Sequence, residues 1–229
     1  MIDPAAFPRR SPLRHRLNAE GATWRALGDV AIAATIGKPA APGDIVIADL
    51  SPLPRLGFKG RGTIPAMQAR GIVAEPTPNR AFRQPDGGLC LVLAASEVIL
   101  LSNLAGNGER LAQLEESWRI EDEERTYPLR RRDSHAWLAV AGPALPEMFA
   151  KLCAIDLRRD KFADLAITQT SIAKMSAILT RADRGANTVF HLLVDSAAAL
   201  YFCDCLLDAA AEFGGRLVGS DVLQKFEGE

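Results

Sequence analysis

Residues 51–73 read SPLPRLGFKGRGTIPAMQARGIV, and residues 133–155 read DSHAWLAVAGPALPEMFAKLCAI. In one fixed register Leu56 meets Leu138, Phe58 meets Val140, Gly60 meets Gly142, Met67 meets Phe149 and Val73 meets Ile155. Each copy is an alternating apolar run, a glycine and then a helix-compatible segment. Further on, each copy carries a strongly β-forming run, residues 98–101 in the first and 189–194 in the second, followed by an amphipathic helix. A duplicated strand–helix–strand unit buries its apolar faces best against its twin, so the pattern predicts one pseudo-symmetric α+β domain. Since 48% of the chain is apolar, matched apolar positions alone discriminate little. The two glycines in register and the repeated order of elements carry the inference.

At 229 residues the chain can bury a large core, as one large domain or two small ones. Its 27 basic and 28 acidic residues leave a formal charge of -1, which argues against a dedicated nucleic-acid binder. No apolar run approaches the roughly 20 residues needed to span a bilayer. The N-terminus, MIDPAAFPRRSPLRHRL, has basic residues without an apolar stretch behind them, so a secretory signal is not expected and the expected location is cytoplasmic. Cys203 and Cys205 sit two apart in a predicted helix and point to different faces. With Cys90 and Cys153 they read as buried thiols of a reducing compartment. The three histidines stand in no ligand spacing with a cysteine or carboxylate, so no metal site is expected.

Residues 1–44 are rich in Pro, Gly, Ala and Arg, and with Phe7, Leu13, Leu17 and Trp24 they read as an extension that docks on the body or on a partner. In the second case Arg9, Arg10, Arg14 and Arg16 would meet acidic surface on a larger subunit. Residues 45–125 read as a first lobe and 126–229 as a second lobe with a C-terminal tail, the acidic run 121–125 being a solvated connector. Strands are predicted at 45–48, 55–59, 89–93, 97–101, 135–141, 167–173, 174–181 and 188–194. In the last long helix Leu200, Cys203, Leu206, Leu207 and Ala210 are expected to face inward. Asp204, Asp208 and Glu212 form its polar stripe and Gly214 its stop. No glycine fingerprint joins a strand to a helix, which argues against a dinucleotide-binding unit.

The segments RDSHAW (132–137), LCAIDLR (152–158), ITQTSIA (167–173) and FHLLVDSAAALYFCDCLLDAAAE (190–212) resemble the gamma subunit of heterotetrameric sarcosine oxidase and its relatives, such as the small subunit of N-methylglutamate dehydrogenase. The segment DLSPLPRLGFKG (49–60) resembles the early part of the glycine-cleavage aminomethyltransferase superfamily. The resemblance covers most of residues 45–215 and rests on several unusual strings in the right order, with no single catalytic fingerprint. It implies a folate-binding aminomethyltransferase-type fold of two related lobes of mixed or antiparallel sheet with helices. It also implies a non-catalytic subunit beside alpha, beta and delta-type partners, with flavin and tetrahydrofolate held by those partners. Full-length aminomethyltransferases carry a further barrel and an acidic residue near the folate. The motif match does not place that acidic residue in this sequence, so folate binding and transferase activity do not carry over.

Several residues invite chemistry. Asp133, Ser134 and His135 have the composition of a triad, but in a strand 133 and 135 share a face while 134 points away. His135 and His191 therefore read as hydrogen-bonded structural or interface residues. Arg130, Arg131 and Arg132, with Arg158, Arg159 and Lys161, could meet an anion such as a folate glutamate tail or a flavin phosphate, with Arg130, Arg132 and Arg158 as the named candidates. The competing reading is a solvated face neutralised by the acids at 121–124. Arg55, Lys59 and Arg61 read as charges guarding an edge strand. The preferred function is thus a gamma-type subunit of a flavin-dependent N-methyl amino acid oxidase or dehydrogenase, with no catalytic residue of its own. A tetrahydrofolate-binding carrier or aminomethyltransferase-like protein is the rival, and a free-standing adaptor is a third possibility.

Overall fold

The computed structural model describes residues 2–37, 40–41, 43–119 and 125–226. In chain order these form α1 (Arg14–Ala19), β1 (Ala22–Leu27), β2 (Val30–Ile36), β3 (Val46–Asp49), β4 (Arg55–Gly60), α2 (Thr63–Ala69), β5 (Arg80–Arg83), β6 (Leu89–Ala94) and β7 (Glu97–Leu101). There follow α3 (Glu109–Ser117), β8 (Thr126–Leu129), β9 (His135–Ala141), α4 (Leu145–Phe149), β10 (Ile167–Ile172), β11 (Met175–Arg181), β12 (Val189–Asp195), α5 (Ala199–Ala210), β13 (Arg216–Val218) and α6 (Ser220–Lys225). The acidic run expected as a connector lies outside the described residues, apart from Arg125.

The two copies form two sheets of matching order. One runs β5-β6-β7-β4-β8 and the other β10-β11-β12-β9-β3, with β13 added beyond β3. Superimposed on this pseudo-symmetry is an exchange of strands. β3 directly precedes β4 in the chain but pairs with β9, and β8 directly precedes β9 but pairs with β4. Each copy thus closes the sheet of its twin. Nothing in the sequence pattern announces this, because a short apolar run does not state its partner.

Strand periodicity then builds a four-layer sandwich. Along β9, Ala136, Leu138 and Val140 face one core while Trp137, Ala139 and Ala141 face another. Along β6, Leu89, Leu91 and Leu93 join that second core while Cys90 and Val92 face a third. The second core lies between the sheets. The first is covered by α1, α4 and α5, and the third by α2 and α3. Strands buried on both faces have no polar face to show, which explains the near-continuous apolar runs.

Leu13, Leu17 and Trp24 enter the first core, and Ile32 of β2 enters the core between the sheets. Ser11 Oγ donates a short hydrogen bond to Asp49, a carboxylate buried at the end of β3. The arginines of this segment are engaged within the chain. Arg9 pairs with Asp29 and Asp133, Arg10 donates to the carbonyls of Phe7 and Ala5, Arg14 meets His15, and Arg16 pairs with Glu20 and Asp204. Removing residues 1–20 would therefore uncover the core.

α5 also departs from the sequence reading. Its inward stripe is Phe202, Cys203, Leu206, Ala209 and Ala210, so Leu200, expected inside, lies off the stripe and is 53% exposed beside exposed Tyr201. Gly214 does stop the helix, at φ +67°. No helix among the described residues is long and apolar enough to cross a membrane.

Gly60 and Gly142 end β4 and follow β9 at equivalent places, with φ +152° and +148°. At each, the incoming exchanged strand crosses close above the glycine. An added Cβ at Gly60 would run into the Arg125 carbonyl, whereas at Gly142 it would sit 3.1 Å from the Asp44 carbonyl oxygen. Gly60→Ala should therefore cost about 2–4 kcal/mol and Gly142→Ala about 1–2 kcal/mol of unfolding free energy. Urea titrations of both variants check this, and equal costs would show that the closeness of the crossing strand does not set the demand for glycine.

Candidate functional site

The structure separates the basic residues that the sequence groups together. Arg130 and Arg132 both reach Glu115 on α3, at 2.8 and 3.9 Å. Arg131 turns the other way to Glu97 at 2.5 Å. Arg158 lies elsewhere, on the loop between α4 and β10, locked onto Asp156 at 2.5 Å, which holds the fully exposed Asp156 carboxyl down to about 2. Arg159 leans on Asp183 and Lys161 on Asp160. Each cation has a carboxylate from this chain within reach, and the acids expected to neutralise this face, at 121–124, lie outside the described residues.

Asp133 and Ser134 lie in the turn before β9 rather than in the strand. Ser134 Oγ meets His135 Nδ1 at 2.8 Å, while Asp133 turns to Arg9. A nucleophile, base and orienter do not line up. Arg55 is not an edge guard, because β4 is flanked by β7 and β8. It is buried, and its guanidinium donates to five carbonyls, those of Ser51, Leu53, Arg131, Arg132 and His135. Burial, reinforced by Arg9, lowers its pKa to about 10. Sequence reasoning missed this role, because no local pattern distinguishes an arginine that saturates carbonyls from one in solvent.

A cavity of about 380 Å³ opens at one end of the space between the sheets, where the β5–β6 turn meets the β11–β12 loop. Arg83, Gln84, Asp183, Arg184 and His191 give it polar walls. Arg83 is held by Asp164 at 3.0 Å and by the Asp183 carbonyl at 2.8 Å. The Asp183 carboxylate is gripped by buried Arg181, whose pKa it raises. Gln84 is clamped in both directions to the backbone of Val73.

His191 is the most constrained group in this wall. Trp137 Nε1 lies 3.1 Å from its Nδ1. An indole N–H only donates, so Nδ1 must accept and the ring proton sits on Nε2. Burial, with help from Arg184 and Arg83, lowers the pKa of His191 to about 3. The ring is therefore a neutral hydrogen-bond donor with no lone pair left to take a proton, unsuited to general-base work. On the neighbouring strand, opposite His191, the buried Thr180 hydroxyl has no partner among the described residues. The buried thiols of Cys90 and Cys203 are pushed up to about 12, chiefly by burial, far from nucleophilic use. Among the described residues no group of three or more His, Cys, Asp or Glu is placed to hold a metal ion. At the cavity wall His191 can serve as a fixed neutral donor to an acceptor-rich ligand.

No protein-family model and no curated protein sequence matches the chain. Solved structures do. A chain of the heterotetrameric sarcosine oxidase from Corynebacterium sp. U-96, in complex with pyrrole 2-carboxylate, is matched over 91% of this chain and 97% of that one, with a TM-score of 0.68 and 21% identity. The glycine cleavage system aminomethyltransferase T from Bartonella henselae is matched over 96% of this chain, with a TM-score of 0.72 and 14% identity. There this chain spans 62% of the other, less than two thirds of its length. The fold is thus of the aminomethyltransferase type, as the resemblance implied.

The His191 assignment has a pH consequence. A histidine whose folded pKa lies below its unfolded value of about 6.5 leaves the unfolded state binding more protons at acid pH. Its contribution to stability is complete above pH 6.5 and declines as pH falls from there toward 3. Relative to His191→Gln, the protein should lose about 2 kcal/mol between pH 7 and pH 5. Denaturant titrations at both pH values measure this difference, and ¹⁵N shifts of the ring should report the Nε2–H tautomer throughout. A ring that protonates near pH 6 would overturn the assignment.

Proposed function

We propose that this chain is the small, gamma-type subunit of a heterotetrameric flavin-dependent oxidase or dehydrogenase acting on N-methyl amino acids, with no active site of its own. The observation that carries the reading is the reciprocal cover with one chain of a heterotetrameric sarcosine oxidase, nearly complete for both proteins. The chemistry of the interior supports it, since His191 is fixed as a neutral donor and the buried thiols are inert. On this reading alpha, beta and delta-type subunits are the partners, they hold flavin and tetrahydrofolate, and the assembly works in the cytoplasm without contact to nucleic acid or membrane. The rival reading, a tetrahydrofolate-binding aminomethyltransferase-like protein acting alone, draws on the similarity to aminomethyltransferase T and on the polar cavity beside His191.

Co-expression of the tagged chain with alpha, beta and delta-type subunits of a sarcosine oxidase-like complex separates the two. The expected outcome is co-elution in one assembly that oxidises sarcosine, while the chain purified alone is colourless and inert toward the amine. A chain that elutes alone under co-expression and binds tetrahydrofolate with a Kd in the micromolar range would establish the rival.

A further inference from the structure

A second cleft lies where the N-terminal segment meets the turns that lead into β4 and β9. It has a volume of about 280 Å³ and is lined by Arg9, Arg10, Arg55, Arg132, His135 and Asp133, with Ser196 at the far wall. Three chain segments distant in sequence bring cations to it. Of these cations, Arg9 is matched within the chain by Asp29 and Asp133.

The other three are matched less closely: among the described residues Arg10 makes no ion pair, and Arg132 shares Glu115 with Arg130. Arg10 donates to the neutral carbonyls of Phe7 and Ala5. Arg55 gives all of its own to backbone carbonyls, and the carboxylates that act on it are Asp49, buried with its pKa raised by that burial, and Asp133, which Arg9 also holds. Arg132 stands 3.9 Å from a carboxylate that Arg130 already holds at 2.8 Å. The other charges that reach His135 from neighbouring elements are Arg131, Asp195 and Glu97, and Glu97 is engaged by Arg131 and Lys59. Charges of both signs act on His135. Burial first, then Arg131 and Arg55, lowers its affinity for a proton despite Asp195 and Glu97.

We propose that this cleft is an oxyanion site, taking a phosphate or carboxylate group between Arg10 and Arg132 with the buried charge of Arg55 behind it. Guanidinium groups suit both, since their paired N–H donors match two oxygens of either group. The site stands independently of the subunit assignment above, because every group in it belongs to this chain.

Thermal unfolding of the full chain in inorganic phosphate and in malonate, each against sodium chloride of equal ionic strength, tests the site and distinguishes its two chemistries. At ten times its Kd the preferred anion should raise Tm by roughly 3 to 6 °C. Arg10→Gln/Arg132→Gln should abolish the shift, while Arg158→Gln, outside the cleft and paired with Asp156, should keep it. If the double variant does not fold, Arg10→Gln alone should reduce the shift. In the unaltered chain the anion should also move the titration of the His135 ring to higher pH, read by NMR. A shift of equal size in the double variant, or no response to either anion together with an unmoved His135 titration, overturns the proposal.

Discussion

The constraint on which the rest of the molecule depends is the exchange of β3 and β8 between the two sheets. Neither sheet can be finished by its own half of the chain, so the halves are tied by backbone hydrogen bonds rather than by side-chain contact alone. The exchange explains why both marked glycines sit where they do, since each lies under the backbone entering the other sheet. It also brings the β3–β4 turn against the β8–β9 turn. That juxtaposition is what Arg55 fastens, spanning from Ser51 and Leu53 on one turn to Arg131, Arg132 and His135 on the other.

Around that fastening the N-terminal segment is integral rather than appended. Ser11 reaches Asp49 at the end of β3, Leu13 and Leu17 close the first core, and Arg9 bridges Asp29 to Asp133. Burying a carboxylate such as Asp49 is costly unless hydrogen bonds offset it. Ser11 and the Ser51 backbone provide them. The same region supplies the cations of the oxyanion cleft, so binding there and attachment of the N-terminal segment share residues.

Much of this was legible in the sequence, for physical reasons that differ by element. The duplicated 51–73 and 133–155 stretches gave away the pseudo-symmetry because glycine is demanded twice by the same crossing. The strands at 55–59, 135–141, 174–181 and 188–194 were readable from β-branched runs and turn residues, and each was found within a residue or two. The exchange was not legible, because pairing is a long-range choice that a four-residue apolar strand does not encode locally. For α5 the helix was readable but its rotation was not, since Leu200 and Tyr201 are as apolar as the residues that do face inward. The basic stretch 130–132 with 158–161 looked like one patch on paper. Arg158 instead lies on the loop after α4 with Asp156, while Arg130 and Arg132 share Glu115 and Arg131 turns to Glu97.

The strand exchange also bears on how the chain is made. β3 emerges from the ribosome some 90 residues ahead of β9, the strand it pairs with, and β13 is later still. During that interval a short, wholly apolar strand has no edge to join, and the sheet built on β4 lacks β8. Long-range pairing of this kind slows folding and leaves unpaired edges open to the wrong neighbour. A nascent chain of this design must therefore be shielded or held unstructured until its second half is synthesised.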